Sequence, residues 1–123
     1  MSRIEKLLPA ELRVVLRTVA KFTGKGGGSD DVETTADKLF LFSEAEIIGD
    51  DVEYSASGEG SQYPYFADAA NRIKKRHGGG SCYWWLRSPN VAYTNDFRYV
   101  GSGGHVSYYY ASYSYGVSFG FCL

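Results

Sequence analysis

Cysteine is nearly missing: the 123 residues hold two, Cys82 and Cys122. That is too few for a disulfide scaffold, and neither lies in the closely spaced pairs that zinc sites use. Two buried free thiols are the favoured reading, with a single bridge as the alternative. Long apolar runs are missing too. No stretch approaches the length of a membrane span, and Met1 to Glu5 lacks the apolar core of a secretory leader. The chain is therefore expected to be soluble, or a domain of something longer. Excess charge of either sign is also lacking: 13 Lys and Arg stand against 14 Asp and Glu, for a net charge of -1. Electrostatic capture of nucleic acid or of an anionic membrane surface is not expected.

Catalytic constellations are equally scarce. His77 and His105 are too far apart and too poorly supplied with partners to argue a metal site. Thr94-Asn95-Asp96 faintly resembles a lectin calcium motif, but its carboxylate-rich companion is missing, so no calcium is expected. Ser88 lacks the flanking glycines of a nucleophile elbow. Gly24 to Ser29 has neither the preceding strand nor the Lys-Ser/Thr frame of a phosphate loop and reads as a mobile connector. No enzyme, cofactor or metal is expected.

What is present is enough chain for one domain, 1–123, with its own core. Ile4, Leu7, Leu8, Leu12, Val15, Leu16 and Val19 recur at helical steps, so an amphipathic helix is expected there, its main part starting at Pro9. Lys38 to Phe42 reads as a short buried strand, and Ser43-Glu44-Ala45-Glu46 has capping-box spacing for a brief helix ended by Gly49. Asp50 to Ser61 reads as polar loop. Tyr63 to Arg76, with Phe66, Ala69, Ala70 and Ile73 on one face, reads as a second helix stopped by Gly78-Gly79-Gly80. Tyr83 to Leu86 is an apolar strand that Arg87-Ser88-Pro89 should end. Short β-prone segments follow at Phe97 to Val100, Val106 to Ala111 and Val117 to Leu123. The expected fold class is α+β, two helices on a small twisted antiparallel sheet.

The composition changes sharply after Trp85. Lys, Glu, Gln, Met and Trp make up 17 of the first 85 residues and none of the last 38. Those five types are the ones an asparagine codon ending in C or T cannot reach when its two adenines are randomised. Every residue from Asn90 to Ser118 lies in the reachable set. Within this span Tyr, Ser, Gly, Asn and Thr crowd together, as in Tyr93-Thr94-Asn95-Asp96, Ser107-Tyr108-Tyr109-Tyr110 and Ser112-Tyr113-Ser114-Tyr115. Between them stand residues suited to packing. Tyr offers large contact area with little entropy to lose, and Ser, Gly and Asn offer adaptable hydrogen bonding, a palette that suits recognition. A tyrosine-rich sheet with no ligand, or a sticky low-complexity tract, would show some of the same features.

Tyr83-Trp84-Trp85-Leu86-Arg87-Ser88-Pro89, with Phe97-x-x-Val100, Gly104-x-Val106, Ala111 and Gly116-Val117-x-Phe119-Gly120-Phe121-Cys122, resembles the variable proteins of diversity-generating retroelements, in a subgroup common in gut bacteria and their phages. Leu39 to Gly49 and Leu7 to Arg13 match the same subgroup, so the resemblance covers nearly the whole chain. Phe119 departs from the pattern, which has proline there.

The resemblance implies a C-type-lectin-like fold related to formylglycine-generating enzymes, with a scaffold over about 1–89 and a variable ligand-binding region over about 90–118. It implies that an error-prone reverse transcriptase rewrites adenines of the variable repeat. The exchangeable contacts would be Tyr93, Thr94, Asn95, Tyr99, Gly101, His105, Ser107, Tyr108, Tyr109, Tyr110, Ser112, Tyr113 and Tyr115. The fixed scaffold would be Trp84, Trp85, Arg87, Phe97, Val106, Ala111 and Gly116, with Arg87 as an ion-pair or carbonyl partner. The partner would be an unknown protein or cell-surface ligand, met from a phage virion or a bacterial cell surface. The alternative is a fixed carbohydrate- or cell-wall-binding module on the same fold.

Overall fold

A computed structural model describes residues 5–49, 52 and 54–123 of the protein. The fold is α+β, with two short helices and several small, mainly antiparallel sheets lying wholly within the described residues. Helix α1 is a single turn, Ala10–Arg13. Strands β1 (Val19–Gly26) and β2 (Ser29–Asp37) form an antiparallel hairpin. Strand β3 is Phe40–Leu41 and helix α2 is Glu44–Ile48. Two 3₁₀ turns, Pro64–Ala67 and Ala69–Arg72, lead to the paired strands β4 (Lys74–Lys75) and β5 (Ser81–Cys82). A four-stranded sheet follows from β6 (Trp84–Pro89), β7 (Asp96–Val100), β8 (Val106–Tyr110) and β9 (Gly116–Val117). Its order is β8-β7-β6-β9, with β9 parallel to β6. Strand β10 (Phe119–Gly120) returns to pair with β3.

Three expectations are corrected. The long N-terminal helix is not continuous among the described residues: residues 6–9 are irregular, and α1 is a single turn after them. Leu7 is 83% exposed and Val15 51% exposed, so the expected stripe does not dock as one face, although Leu16 is buried; Ile4 lies outside the described residues. β-branched Val14, Val15 and Val19 lose rotamer freedom in a helix, and Arg17 N–H instead donates to the Cys122 carbonyl at 2.9 Å. The helix expected over Tyr63 to Arg76 is broken into the two 3₁₀ turns, because Asp68 accepts from Ala70 N–H and starts a new turn midway. The glycine-rich connector is a hairpin turn. Gly27 and Gly28 have φ of 65° and 80°, the left-handed pair that a two-residue type I′ turn requires.

Other elements fall where the pattern puts them. Ser43 Oγ accepts from Glu46 N–H while Glu46 Oε1 accepts from Ser43 N–H at 2.9 Å, so α2 carries its capping box, and Gly49 closes it at φ 80°. The strand beginning at Trp84 runs through Arg87 and Ser88 to Pro89 instead of ending before them. Of the polar loop expected over Asp50 to Ser61, Asp50, Asp51 and Glu53 lie outside the described residues.

The apolar core gathers Ile47, Phe66, Trp84, Leu86 and Val100, with Phe42, Ile48, Tyr63 and Val106 packed around it. Trp84 is 1% exposed and donates its indole N–H to the Arg72 carbonyl at 3.0 Å. Beside this core lies a buried charged layer. Glu46 is paired with both Lys21 of β1 and Arg87 of β6, and Glu44 with Arg98 of β7. Arg87 also donates to the carbonyls of Leu41 (2.8 Å), Glu59 (3.0 Å) and Phe22 (3.0 Å). Ser88 Oγ donates to Glu59 Oε1 at 2.7 Å, and Gly24 N–H donates to Glu59 Oε2 at 2.7 Å. These bonds tie the hairpin, α2 and the sheet together across long sequence distances. Buried charges persist only when paired and hydrogen-bonded in this way.

Candidate functional site

Strand alternation sorts the C-terminal third into two faces. Trp84, Leu86 and Ser88 of β6 and Asp96, Arg98 and Val100 of β7 point inward and are buried. Trp85, Phe97 and Tyr99 take the opposite side, and the register shifts between Trp85 and Pro89, where Arg87 pairs with Glu46. Tyr99 faces Ser107 across the β7–β8 pair, and Phe97 faces Tyr109.

On this outer face the aromatic side chains form one connected surface. Tyr115 lies 4.8 Å from Trp85, 4.9 Å from Tyr99 and 5.1 Å from Tyr83, ring centre to ring centre. Tyr113 continues it at 6.4 Å from Tyr115 and meets Tyr109 edge-on at 4.3 Å. Tyr110 lies 5.4 Å from Tyr109. Offset and edge-to-face pairs of this kind hold rings in fixed orientation. Tyr109, Tyr110 and Tyr113 remain 39%, 54% and 48% exposed.

A second group gathers around Tyr108, in the middle of β8. Tyr93 stacks on Tyr108 at 5.5 Å, and Tyr54 meets Tyr108 at 5.7 Å. The Arg98 guanidinium lies 5.6 Å from the centres of both the Tyr54 and Tyr108 rings. Between the two groups opens a groove of about 580 Å³, lined by residues 92–96 and Tyr108 to Tyr110. Asp96 is its one buried lining residue, and Asp96 Oδ1 has no hydrogen-bond partner.

Tyr108, Tyr109 and Tyr115 hold their phenol protons more tightly than a free tyrosine. The neighbouring Tyr93 pushes the Tyr108 hydroxyl above its ordinary value, with burial adding to it. A hydrogen bond with Tyr113 does the same for Tyr109, and burial for Tyr115. At neutral pH each hydroxyl can both donate to and accept from a ligand. In the charged layer, burial opposes ionisation of Glu46, but bonds from Arg87, Lys21 and the Ser43 N–H outweigh it and hold its carboxyl below the usual range. Burial wins at Glu59, whose carboxyl is pushed up despite the Gly24 and Ser88 bonds.

Of the thirteen contact residues named from the sequence, Tyr99, Tyr109, Tyr113 and Tyr115 join the outer surface, Tyr110 stands at the groove directly across from Asp96, and Tyr93 and Tyr108 form the second group. Thr94 and Asn95 are exposed beside the groove, Ser112 is exposed in the turn after β8, and Ser107 is half-buried opposite Tyr99. Gly101 and His105 stand apart, in the turn at the other end of the β7–β8 hairpin, where Gly101 N–H donates to the His105 carbonyl at 2.7 Å. That end is about 13 Å from Asp96, four strand steps away.

Among the scaffold residues, Trp84 is buried, Trp85, Arg87, Val106 and Gly116 are half-buried, and Phe97 and Ala111 lie at the surface instead of in the packing. A Cβ on Gly116 would lie 3.0 Å from the Tyr83 carbonyl, so any larger residue is crowded against backbone there. The thiols are unpaired, but they are not buried: Cys82 is half-buried and Cys122 exposed. Sequence reading missed Tyr54, Tyr83, Asp96 and Arg98. For the last two the signal was available, since period-two alternation from Val100 places both inward.

No cluster of three or more His, Cys, Asp and Glu is placed to hold a metal among the described residues. No described helix is long and apolar enough to cross a membrane. The family described as a domain of unknown function (DUF6273) matches the chain over residues 5–123. No curated protein and no solved structure matches it.

Proposed function

The chain belongs to the DUF6273 family, and we propose that this member is a non-catalytic recognition module of C-type-lectin-like fold, the variable protein of a diversity-generating retroelement. Its work is to present the Tyr-rich face of residues 90–118 to a protein partner, from a phage virion or a bacterial cell surface.

One observation carries the reading. The segment that lacks Lys, Glu, Gln, Met and Trp places Tyr99, Tyr109, Tyr113 and Tyr115 on a connected, partly exposed aromatic surface and Tyr93 and Tyr108 in a second group across the groove, while Trp84 and the ion pairs that hold the fold are buried. Exchange of outward side chains costs little, usually under about 0.5 kcal/mol, so such a face can change its contacts without losing its fold.

The test is the nucleotide sequence of the gene and its flanks. The expected result is codons derived from AAC or AAT at Tyr93, Tyr108, Tyr109, Tyr110, Tyr113 and Tyr115, a nearby template copy with adenines at those sites, and a reverse-transcriptase gene. A locus with neither template nor reverse transcriptase removes the mechanism.

A fixed carbohydrate- or cell-wall-binding module is favoured by one feature, the stacked Tyr93 and Tyr108 rings beside a buried carboxylate, since sugars also use aromatic platforms and acidic partners. Glycan-array binding that persists across variants of the tyrosine face would support this second reading.

A further inference from the structure

We propose that the groove between β7 and β8 is a pocket for a cationic side chain, the arginine or lysine of a protein partner, with Asp96 as its charge-reading residue. This rests on the recognition reading above and names the chemistry of that site.

The argument starts from the strand. Asp96 stands on the same face of β7 as Arg98 and Val100, and this face turns from apolar to polar along its length. At Val100 it packs on Trp84; at Asp96 it opens into the groove. Asp96 is 7% exposed, and its Oδ1 has no partner. A buried carboxylate oxygen with no donor is costly, and a ligand that supplies one gains what the free protein forgoes.

The nearest built-in cation does not serve it. Arg98 is bonded to Glu44 and makes no ion pair with Asp96. No lysine or arginine lines the groove. Its walls are phenol rings, Tyr93 stacked on Tyr108 with Tyr110 directly across the strand pair from Asp96. Ring faces are electron-rich and attract cations, and they strip water from the alkyl stem of a long basic side chain. A negative charge below and aromatic walls beside select a cation over a neutral or acidic group, and the neighbouring Arg98, held by Glu44 behind the Tyr108 ring, does not line the groove.

The experiment is a titration of the ¹⁵N-labelled full chain with two blocked tripeptides, acetyl-Gly-Arg-Gly-amide and its citrulline counterpart, which keeps shape but loses charge. The arginine peptide should shift the amides of Tyr93, Asp96, Tyr108 and Tyr110. Citrulline, and separately Asp96→Asn, should weaken binding about tenfold, or about 1.4 kcal/mol. Tyr93→Ala, at a position 53% exposed and safe for folding, should weaken it about three- to fivefold. Equal binding of the citrulline peptide, or shifts confined to other residues, overturns the proposal. So does a response at these amides to methyl glucoside with none to the arginine peptide. Selection of a random peptide library on the same chain separates this proposal from the broader reading. Enriched peptides without Lys or Arg, whose binding is lost in Tyr113→Ser, would refute the cation pocket and leave the recognition face standing.

Discussion

Replacing Arg98 with serine distinguishes inward from outward positions within one segment. Arg98 is 3% exposed and its partner Glu44 is 0% exposed. Glu44 Oε1 also accepts from Ser55 Oγ at 2.9 Å, and Glu44 N–H donates to Ser88 Oγ at 2.9 Å, so the carboxylate is fixed in place and cannot follow a departing partner into water. Removing one member of a buried pair costs about 3–5 kcal/mol, mostly the penalty of the charge left behind. Against a total stability of about 5–15 kcal/mol that is a large share. For a chain of this size it corresponds to a fall in Tm of about 10–25 °C. Two-state urea unfolding followed by circular dichroism reads it directly. Tyr109→Ser, one residue along β8 from the Tyr108 that faces Arg98 and on the opposite face, should stay within about 0.5 kcal/mol. Replacing Arg98 and Glu44 together with methionine should recover most of the loss, because an apolar pair of similar volume leaves no charge unpaired. The reasoning is refuted if Arg98→Ser and Tyr109→Ser unfold at the same urea concentration, or if the double variant is no more stable than Arg98→Met alone.

Glu46→Gln should keep the capping box but strand Lys21 and Arg87, costing about 3–5 kcal/mol at pH 7. Because the Glu46 carboxyl is held below its ordinary value of 4.5, its stabilisation is present above that pH and lost as pH falls through the folded value, so the difference from the native chain should shrink on acidification. Glu59 has the opposite sign. Its carboxyl is raised, so its contribution is full below pH 4.5 and lost as pH rises through the higher folded value. Glu59→Gln should therefore gain on the native chain between those limits, as read from unfolding midpoints across a pH series. Gly116→Ala should cost about 1–3 kcal/mol, since the new Cβ meets the Tyr83 carbonyl at 3.0 Å and backbone cannot step aside; thermal unfolding checks it.

Local signals in the sequence were read well and long-range ones poorly. The α2 capping box and the strands around Trp84, Phe97 and Val106 follow from spacing and alternation over a few residues. The first helix failed because a helical stripe of leucine and valine can also be satisfied by one turn, a bridge and a strand, and tertiary pairing of β1 with β2 decided between them. Three glycines read as a linker because the residues that make a loop floppy also make a type I′ turn tight. Within the candidate site, the exposed tyrosines were visible from composition. The inward direction of Asp96 and Arg98 follows from alternation, but the partners of the buried charges do not: Arg98 meets Glu44 across 54 positions, and Glu59 reaches Gly24 across 35, pairings that no local pattern carries. Phe97 and Ala111 were assigned to packing on residue type alone, which says nothing of which way a strand faces.

Saturation mutagenesis of residues 90–118 on a display platform, scored for folding by protease resistance, puts the separation of fold from contact to the most direct trial. The account predicts wide tolerance at Tyr93, Tyr109, Tyr110 and Tyr113 and near-complete intolerance at Arg98 and Val100. Tyrosines as sensitive as those two buried positions would contradict it.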